Sequence, residues 1–130
     1  MGIFLKDINL KGKTALITGA TKGLGRGAAI AIAEAGGNVI AIGRNEIELN
    51  TLKKEIKKFK VDYVPFNCDV NDYNRIKSFI TKLKRLDILV NNAGTNIPEP
   101  FLNVKKSSME TLLNVNTKAV FNVAQLCANQ

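Results

Sequence analysis

Three glycines within eight residues form the clearest chemical signature in this sequence. They occur in TGATKGLG, residues 18–25, directly after the apolar run Ala15, Leu16 and Ile17. Glycine allows positive φ angles and close backbone approach, and the free N–H groups at the start of a helix attract an anionic phosphate. The stretch therefore predicts a phosphate-binding turn, provided that a strand precedes it and a helix follows.

The spacing of these glycines narrows the kind of nucleotide site. Gly19, Gly23 and Gly25 follow the pattern G-x-x-x-G-x-G, which differs from G-x-G-x-x-G and from the P-loop pattern G-x-x-x-x-G-K-[ST]. Lys22 precedes Gly23, and no Ser or Thr follows a Gly-Lys pair there. A nucleoside triphosphatase is therefore not expected.

Strand-like and helical segments alternate along the chain. Short runs rich in Val, Ile and Leu predict four strands, over Thr14–Thr18, Asn38–Gly43, Val61–Phe66 and Leu86–Asn91. A helix of small residues is predicted over Leu24–Ala35, and a last helix over Ser108–Ala128 with a bend near 114–116. Two further helices are predicted from single apolar stripes, formed by Leu49, Leu52, Ile56 and Phe59 and by Ile76, Phe79, Ile80 and Leu83.

This alternation predicts one α/β domain over residues 1–130, with a doubly wound parallel sheet. Pro65 cannot donate a ladder hydrogen bond, so the third strand should be an outer one, and the strand order 3-2-1-4 places it there. In such a sheet a ligand binds beyond the carboxyl ends of the strands, beside the first strand. The glycine turn lies at that position in the predicted topology.

Four motifs in order resemble those of the classical short-chain dehydrogenases/reductases. They are TGATKGLG, CDV at 68–70, NNAG at 91–94 and NVNTKAVF at 114–121, and together they cover essentially the whole chain. The resemblance implies an NAD(P)-binding Rossmann domain. Its implied cofactor-binding residues are Gly19, Thr21, Lys22, Gly23, Leu24 and Gly25 at the diphosphate, Asp69 and Val70 at the adenine, and Asn92, Ala93 and Gly94 near the adenine-side ribose. Asn116 matches the asparagine of the family's catalytic tetrad, which holds a water in the proton relay.

Charge at the end of the second strand bears on which nicotinamide cofactor is bound. NAD sites usually place Asp or Glu there for the ribose 2′-hydroxyl, whereas a 2′-phosphate requires a cation. This chain has Gly43 and Arg44 at that point, and no acid before Glu46. The sequence therefore predicts NADP(H), with NAD(H) as the alternative.

The family's catalytic tyrosine and lysine, spaced Y-x-x-x-K, have no counterpart at the expected place. Tyr73 and Lys77 have the spacing but precede NNAG, whereas the family's pair follows a fifth strand. We expect Tyr73 and Lys77 to be surface residues of a helix, and the fifth strand, the catalytic serine and the true pair to lie after Gln130. The chain should then be a cofactor-binding half, inactive alone, and the unpaired edge of the fourth strand should favour self-association.

Composition excludes other classes of protein and leaves two alternatives open. The chain has no histidine and only two cysteines, Cys68 and Cys127, so neither a metal site nor a disulfide framework is expected. No apolar run is long enough to span a membrane, residues 1–13 lack a secretory apolar core, and a cytoplasmic location is the default. The net charge of +8 raises nucleic acid as a partner, but no aromatic residues are interleaved with the lysines, so none is expected.

We expect a small-molecule carbonyl or alcohol substrate for the full enzyme and a homo-oligomer formed through the last helix. The main alternative to this oxidoreductase is a non-catalytic dinucleotide-binding or interaction module.

Overall fold

A four-stranded parallel sheet forms the centre of the molecule in the computed structural model, which describes residues 7–130. Its strands are β1 (Thr14–Thr18), β2 (Asn38–Gly43), β3 (Tyr63–Asn67) and β4 (Ile88–Val90), and their order is β3-β2-β1-β4. The predicted order is confirmed, and Pro65 lies in the outer strand β3, opposite Ala41. The prediction that the N-terminus carries no secretory signal rests largely on residues 1–6, which lie outside the described residues.

Five α-helices are found among the described residues. They are α1 (Gly23–Glu34), α2 (Glu46–Ile56), α3 (Tyr73–Ile80), α4 (Lys106–Leu113) and α5 (Val120–Ala128), with short 3-10 turns at Lys57–Phe59 and Phe101–Asn103. The expected extension of the third helix to Leu83 is wrong, because the chain turns after Ile80 through bonds from Lys82 and Leu83 to Phe79 and Ile80. Within the described part, no helix combines the length and the apolar character that a membrane crossing requires.

The bend predicted in the last helix is a π-helical turn over Asn114–Ala119, which joins α4 to α5 without a break. A π-turn widens the backbone spiral by one residue and is frequent at functional sites. Here it places Asn116 beside the segment that follows β4, so the irregularity belongs to the site described below.

Alternate residues of the sheet pack into two separate apolar layers. Ala15 and Ile17 face α1 and α2, whereas Leu16 and Ile42 face α3 and α5. Because strand side chains alternate between the two faces, this pattern is what a sheet covered on both sides requires. The doubly wound architecture is thereby confirmed, and it fixes the carboxyl ends of β1 and β2 at one rim.

The apolar residues of the last helix are covered in part, since Val123 is buried and Ala124, next to it, is exposed. Val123 is 1% exposed and packs with Leu126 in the layer that includes α3. Phe121, on another side of the helix, is 63% exposed. The face turned towards the sheet is covered because α3 and α5 are in contact, which the sequence pattern alone did not indicate.

Tyr63 links the outer strand to α2. Its hydroxyl donates a 2.8 Å hydrogen bond to the Leu49 carbonyl, and burial raises its pKa from the ordinary 10 to about 12, against the smaller opposing effect of the Arg26 charge. Because folding raises the pKa of Tyr63, the contribution of this residue to folding stability is complete below the unfolded-state pKa. It is lost as the pH rises through the folded-state pKa. In Tyr73→Phe, which leaves one tyrosine, phenolate absorbance should appear only near pH 12 or together with unfolding. Ionisation near pH 10 with unchanged circular dichroism would contradict this bond.

Candidate functional site

A cleft of about 670 Å³ opens at the carboxyl rim of the sheet, beside β1. Nine of the twelve residues predicted to bind cofactor line it: Gly19, Thr21, Lys22, Arg44, Asp69, Val70, Asn92, Ala93 and Gly94. The other three, Gly23, Leu24 and Gly25, form the first turn of α1. The structure thus brings together, from the four segments that follow β1, β2, β3 and β4, residues that lie up to 75 positions apart in the chain.

The glycine turn has the backbone geometry that the sequence implied. Gly19 and Gly23 have φ angles of +63° and +59°. In this region of backbone conformation a residue with a Cβ atom is strained. Gly25 meets a different constraint, since a Cβ there would overlap the carbonyl oxygen of Gly19 and the amide nitrogen of Asn92. Nothing lies within 4 Å of a Cβ built at Gly23, so the turn is tight on its inner side and open at Gly23.

Thr18 and Asn92 tie this turn to the segment after β4. The Thr18 hydroxyl accepts hydrogen bonds from the backbone N–H groups of Asn92 and Ala93, at 3.0 and 2.9 Å. In return, the Asn92 side-chain amide donates to the carbonyls of Thr18 and Gly19, at 3.1 and 3.2 Å. Sequence reasoning did not single out Thr18, because a threonine at a strand end gives no signal of its own and its partners are more than 70 residues away.

Replacing Thr18 by valine should destabilise the fold without changing side-chain volume. Thr18 is fully buried, so two N–H groups would lose their acceptor, and an unsatisfied buried donor costs about 1–3 kcal/mol. We expect the free energy of unfolding in urea to fall by roughly 2–4 kcal/mol. The matched control is Thr81→Val, at an exposed helix end, which should change it by about 0.5 kcal/mol or less. An equal effect of the two substitutions would refute this role for Thr18.

The N-terminus of α1 differs from those of α2 and α3. Asn45 and Asp72 cap α2 and α3 with side-chain bonds to Glu48 N and Arg75 N, whereas the N-cap residue of α1, Lys22, makes no side-chain cap and the first turn holds no acid. Uncapped N–H groups and the positive end of the helix dipole favour an anion. The first turn of α1 is therefore a preformed place for a phosphate.

Two cations border the cleft and are free to meet a ligand. Lys22 and Arg44 line it, and neither side chain forms a hydrogen bond or ion pair with any described residue. Arg44 is exposed and directly follows Gly43, the last residue of β2. Glu48 and Asp69 are the acids of the lining, so positive and negative groups are balanced in number there.

Asn116 reaches the same rim from the π-helical turn. Its side-chain oxygen accepts from Thr95 N at 2.8 Å, and its amide nitrogen donates to Thr95 O at 2.9 Å. Both polar atoms of the Asn116 side chain are therefore hydrogen-bonded to the main chain of one residue, Thr95. In this arrangement the amide positions the Gly94–Thr95 segment.

The tyrosine and lysine that mimic the family's spacing lie away from the cleft. Tyr73 begins α3 and is 39% exposed, and the Lys77 ammonium lies 6.0 Å from its ring centroid. Cys68, which sequence reasoning assigned no role, lines the cleft as a buried thiol whose pKa is raised by burial. Among residues 7–130 no group of three or more His, Cys, Asp or Glu side chains could hold a metal ion.

Comparison with known proteins gives one family. The family model for short chain dehydrogenase matches residues 13–130. L-xylulose reductase of Mus musculus is 36% identical over 122 residues, which are 94% of this chain and 48% of the relative. A short-chain type dehydrogenase/reductase of Mycobacterium marinum is 31% identical with a TM-score of 0.89, covering 99% of this chain and 53% of that structure. The chain spans about half the length of the relatives that it matches.

Among the solved structures that resemble this chain, one contains NAD and another contains NADPH. Carveol dehydrogenase from Mycobacterium avium, in complex with NAD, is 26% identical with a TM-score of 0.84, over 93% of this chain and 50% of that one. A short-chain dehydrogenase from Sphingobium yanoikuyae, in complex with NADPH, is also 26% identical with a TM-score of 0.84, over 90% and 47%. Similarity at this level does not choose between the two cofactors.

Proposed function

This chain belongs to the short chain dehydrogenase family, whose members are NAD(P)-dependent oxidoreductases, and on that premise we propose that it binds NADP(H) as the cofactor-binding half of a ketone reductase or alcohol dehydrogenase. The observation that carries the proposal is the uncapped first turn of α1, which directly follows the residues of the glycine turn that line the cleft, Gly19, Thr21 and Lys22.

The residues present fit a dinucleotide. A diphosphate would take its hydrogen bonds from the N–H groups of Gly23, Leu24 and Gly25, because the open space at Gly23 lets an anion approach the backbone. Asp69 and Val70 follow β3 and line the cleft for the adenine, and Ala93 and Gly94 form its floor. The Asn92 side chain faces the glycine turn rather than the ligand, so we assign it the task of holding that turn.

We propose NADP(H) over NAD(H) because the position after β2 carries a free cation. Arg44 is placed to form charge-assisted hydrogen bonds with a 2′-phosphate, and Lys22 adds a second positive charge on the same cleft. An acid that would accept from a 2′-hydroxyl is missing from the end of β2, where Gly43 stands. Glu48, which also lines the cleft, lies in the first turn of α2 and not at the end of β2. Its main-chain carbonyl accepts a hydrogen bond from Arg26.

When bound, the nicotinamide would supply or accept the hydride, so that the protein has to orient it and to handle one proton. Asn116 orients the Gly94–Thr95 segment at the rim of the cleft. Tyr73 and Lys77 lie outside the lining, and we propose that a tyrosine–lysine pair outside this sequence moves the proton. The 130 residues alone should therefore bind cofactor without reducing a carbonyl compound.

Turnover assays test this division of labour. The purified chain with NADPH and L-xylulose should show no oxidation of NADPH above background, while NADPH fluorescence reports saturable binding. Turnover by the 130 residues would contradict the assignment of the proton donor, whereas absence of binding would contradict the function itself. A homo-oligomer through α5 is part of the proposal, and sedimentation as a strict monomer would count against it.

A further inference from the structure

Arg26 connects the two loops that the proposed cofactor site depends on. It belongs to the first turn of α1, and one of its nitrogens, Nη1, donates to the Thr21 carbonyl at 3.0 Å and to the Glu48 carbonyl at 3.2 Å. Thr21 lies in the glycine turn beside Lys22, and Glu48 lies in the first turn of α2, four residues after Arg44. One guanidinium nitrogen therefore bridges the β1–α1 loop to the start of α2.

The other terminal nitrogen anchors the guanidinium itself. Nη2 donates to the Glu55 carboxylate at 2.6 Å and to the Thr51 hydroxyl at 3.2 Å, and that hydroxyl donates in turn to the Glu48 carbonyl. The Arg26 side chain is 20% exposed and the Glu55 side chain 49%, so the two carbonyl bonds of Nη1 are better shielded from water than the ion pair. A planar fork with fixed donor directions meets four acceptors at once, which a single ammonium group does not match.

Contact between the two loops is also close without Arg26. A Cβ at Gly43 would overlap the Thr21 methyl group, so the glycine turn rests directly on the end of β2. Arg26 holds Thr21 in addition, through a hydrogen bond to its carbonyl. A shift of Thr21 would therefore move Lys22 and the end of β2 together.

From these contacts we infer that Arg26 is a positioning residue that couples the diphosphate turn to the 2′-phosphate loop and so sets the preference for NADP(H) without touching the cofactor. The inference rests on the proposed function. Both cofactors use the diphosphate turn, whereas only NADP(H) uses the Arg44 loop. Loosening the bridge weakens both complexes, and weakens that of NADPH more.

Arg26→Met tests the coupling, since methionine keeps a long, unbranched side chain and removes every N–H donor of the guanidinium. The dissociation constant for NADPH should rise about 10- to 30-fold and that for NADH about threefold, because preorganisation of the two loops is lost. Arg26→Lys should recover thermal stability better than it recovers the NADPH preference. Glu55→Gln, which keeps both carbonyl bonds, should leave the ratio of the two dissociation constants unchanged.

The matched control is Arg75→Met. Arg75 also donates to a backbone carbonyl, that of Asn67 at 3.0 Å, and lies over the Phe66 ring, but it is not part of the cleft lining. It should lose stability with an unchanged cofactor ratio. Hydrogen exchange without cofactor gives a second measure, at the hydrogen-bonded amides of the two loops. Arg26→Met should accelerate exchange at Ala20 and residue 26, which flank the glycine turn, and at Glu48 and Leu49 in α2, and Arg75→Met at neither place.

Three results would overturn the inference. The first is an unchanged ratio of dissociation constants in Arg26→Met together with unchanged exchange at the two loops. The second is a ratio in Arg75→Met that falls as much as in Arg26→Met, which would reduce Arg26 to a stabilising residue. The third is absence of saturable binding of either cofactor by the unsubstituted chain, which would remove the proposed function as well.

Discussion

Alanine at Gly25 is expected to raise the dissociation constant for NADPH by about 100-fold, because displacing the turn removes hydrogen bonds to a charged diphosphate, each worth about 1.5–3 kcal/mol. The added methyl group would overlap the Gly19 carbonyl oxygen and the Asn92 amide nitrogen. Both atoms belong to the network that holds the turn against β4, so the turn itself must move. Overpacking of this kind also costs about 1–3 kcal/mol of folding free energy.

Gly27→Ala is the control for this substitution, two residues along the same helix. Gly27 is exposed, and a Cβ there would contact nothing within 4 Å. Alanine should stabilise α1 by about 0.5–1 kcal/mol through its higher helix propensity and leave the affinity for NADPH unchanged. Isothermal titration and urea unfolding of the two variants make the comparison. Affinity within about threefold of the unsubstituted chain in Gly25→Ala would show that the ligand does not depend on this turn.

Arg44→Ala is expected to weaken NADPH binding by about 10- to 100-fold, which corresponds to the roughly 1.5–3 kcal/mol of a hydrogen bond to a charged group. NADH has no 2′-phosphate, so its affinity should stay the same. Arg44→Asp should go further and reverse the preference, since a carboxylate repels the phosphate and accepts from a 2′-hydroxyl.

The control for Arg44→Ala removes one positive charge from a surface position outside the cleft. Lys57 is exposed at the far end of α2 and is not part of the cleft lining, so Lys57→Ala changes the net charge without changing the site. It should alter both dissociation constants equally and slightly. Equal affinities of the unsubstituted chain for NADPH and NADH would contradict the cofactor assignment at the first titration.

Most of the fold was predictable because its signals are local. Pro65 alone placed β3 at an edge, and the small residues of α1 predicted its close packing on the sheet. The apolar run at 15–17 was readable as a strand of a sheet covered on both sides, and Leu16 and Ile17 do pack into different layers. Helix ends were less predictable, as at Ile80, because a stripe of apolar residues continues past the point where the backbone turns.

The parts of the site that sequence did not reveal depend on distant contacts. Thr18 and Arg26 are ordinary residue types for a strand end and a helix, and their roles exist only because Asn92 and Glu48 lie opposite them. The π-helical turn at Asn114–Ala119 was visible only as a bend. The glycines were readable because their constraint is on the backbone itself, whereas a side-chain bridge has no fixed sequence spacing.

Amide NMR during titration with NADPH tests the central claim most directly, which is that the N–H groups of the glycine turn bind the cofactor diphosphate. We expect saturable shifts that are largest within residues 19–25, with Arg44 among the next largest, and weaker effects at Arg44 when NADH replaces NADPH. Absence of saturation, or shifts confined to the lysines at 57–60 with residues 19–25 unmoved, would contradict it.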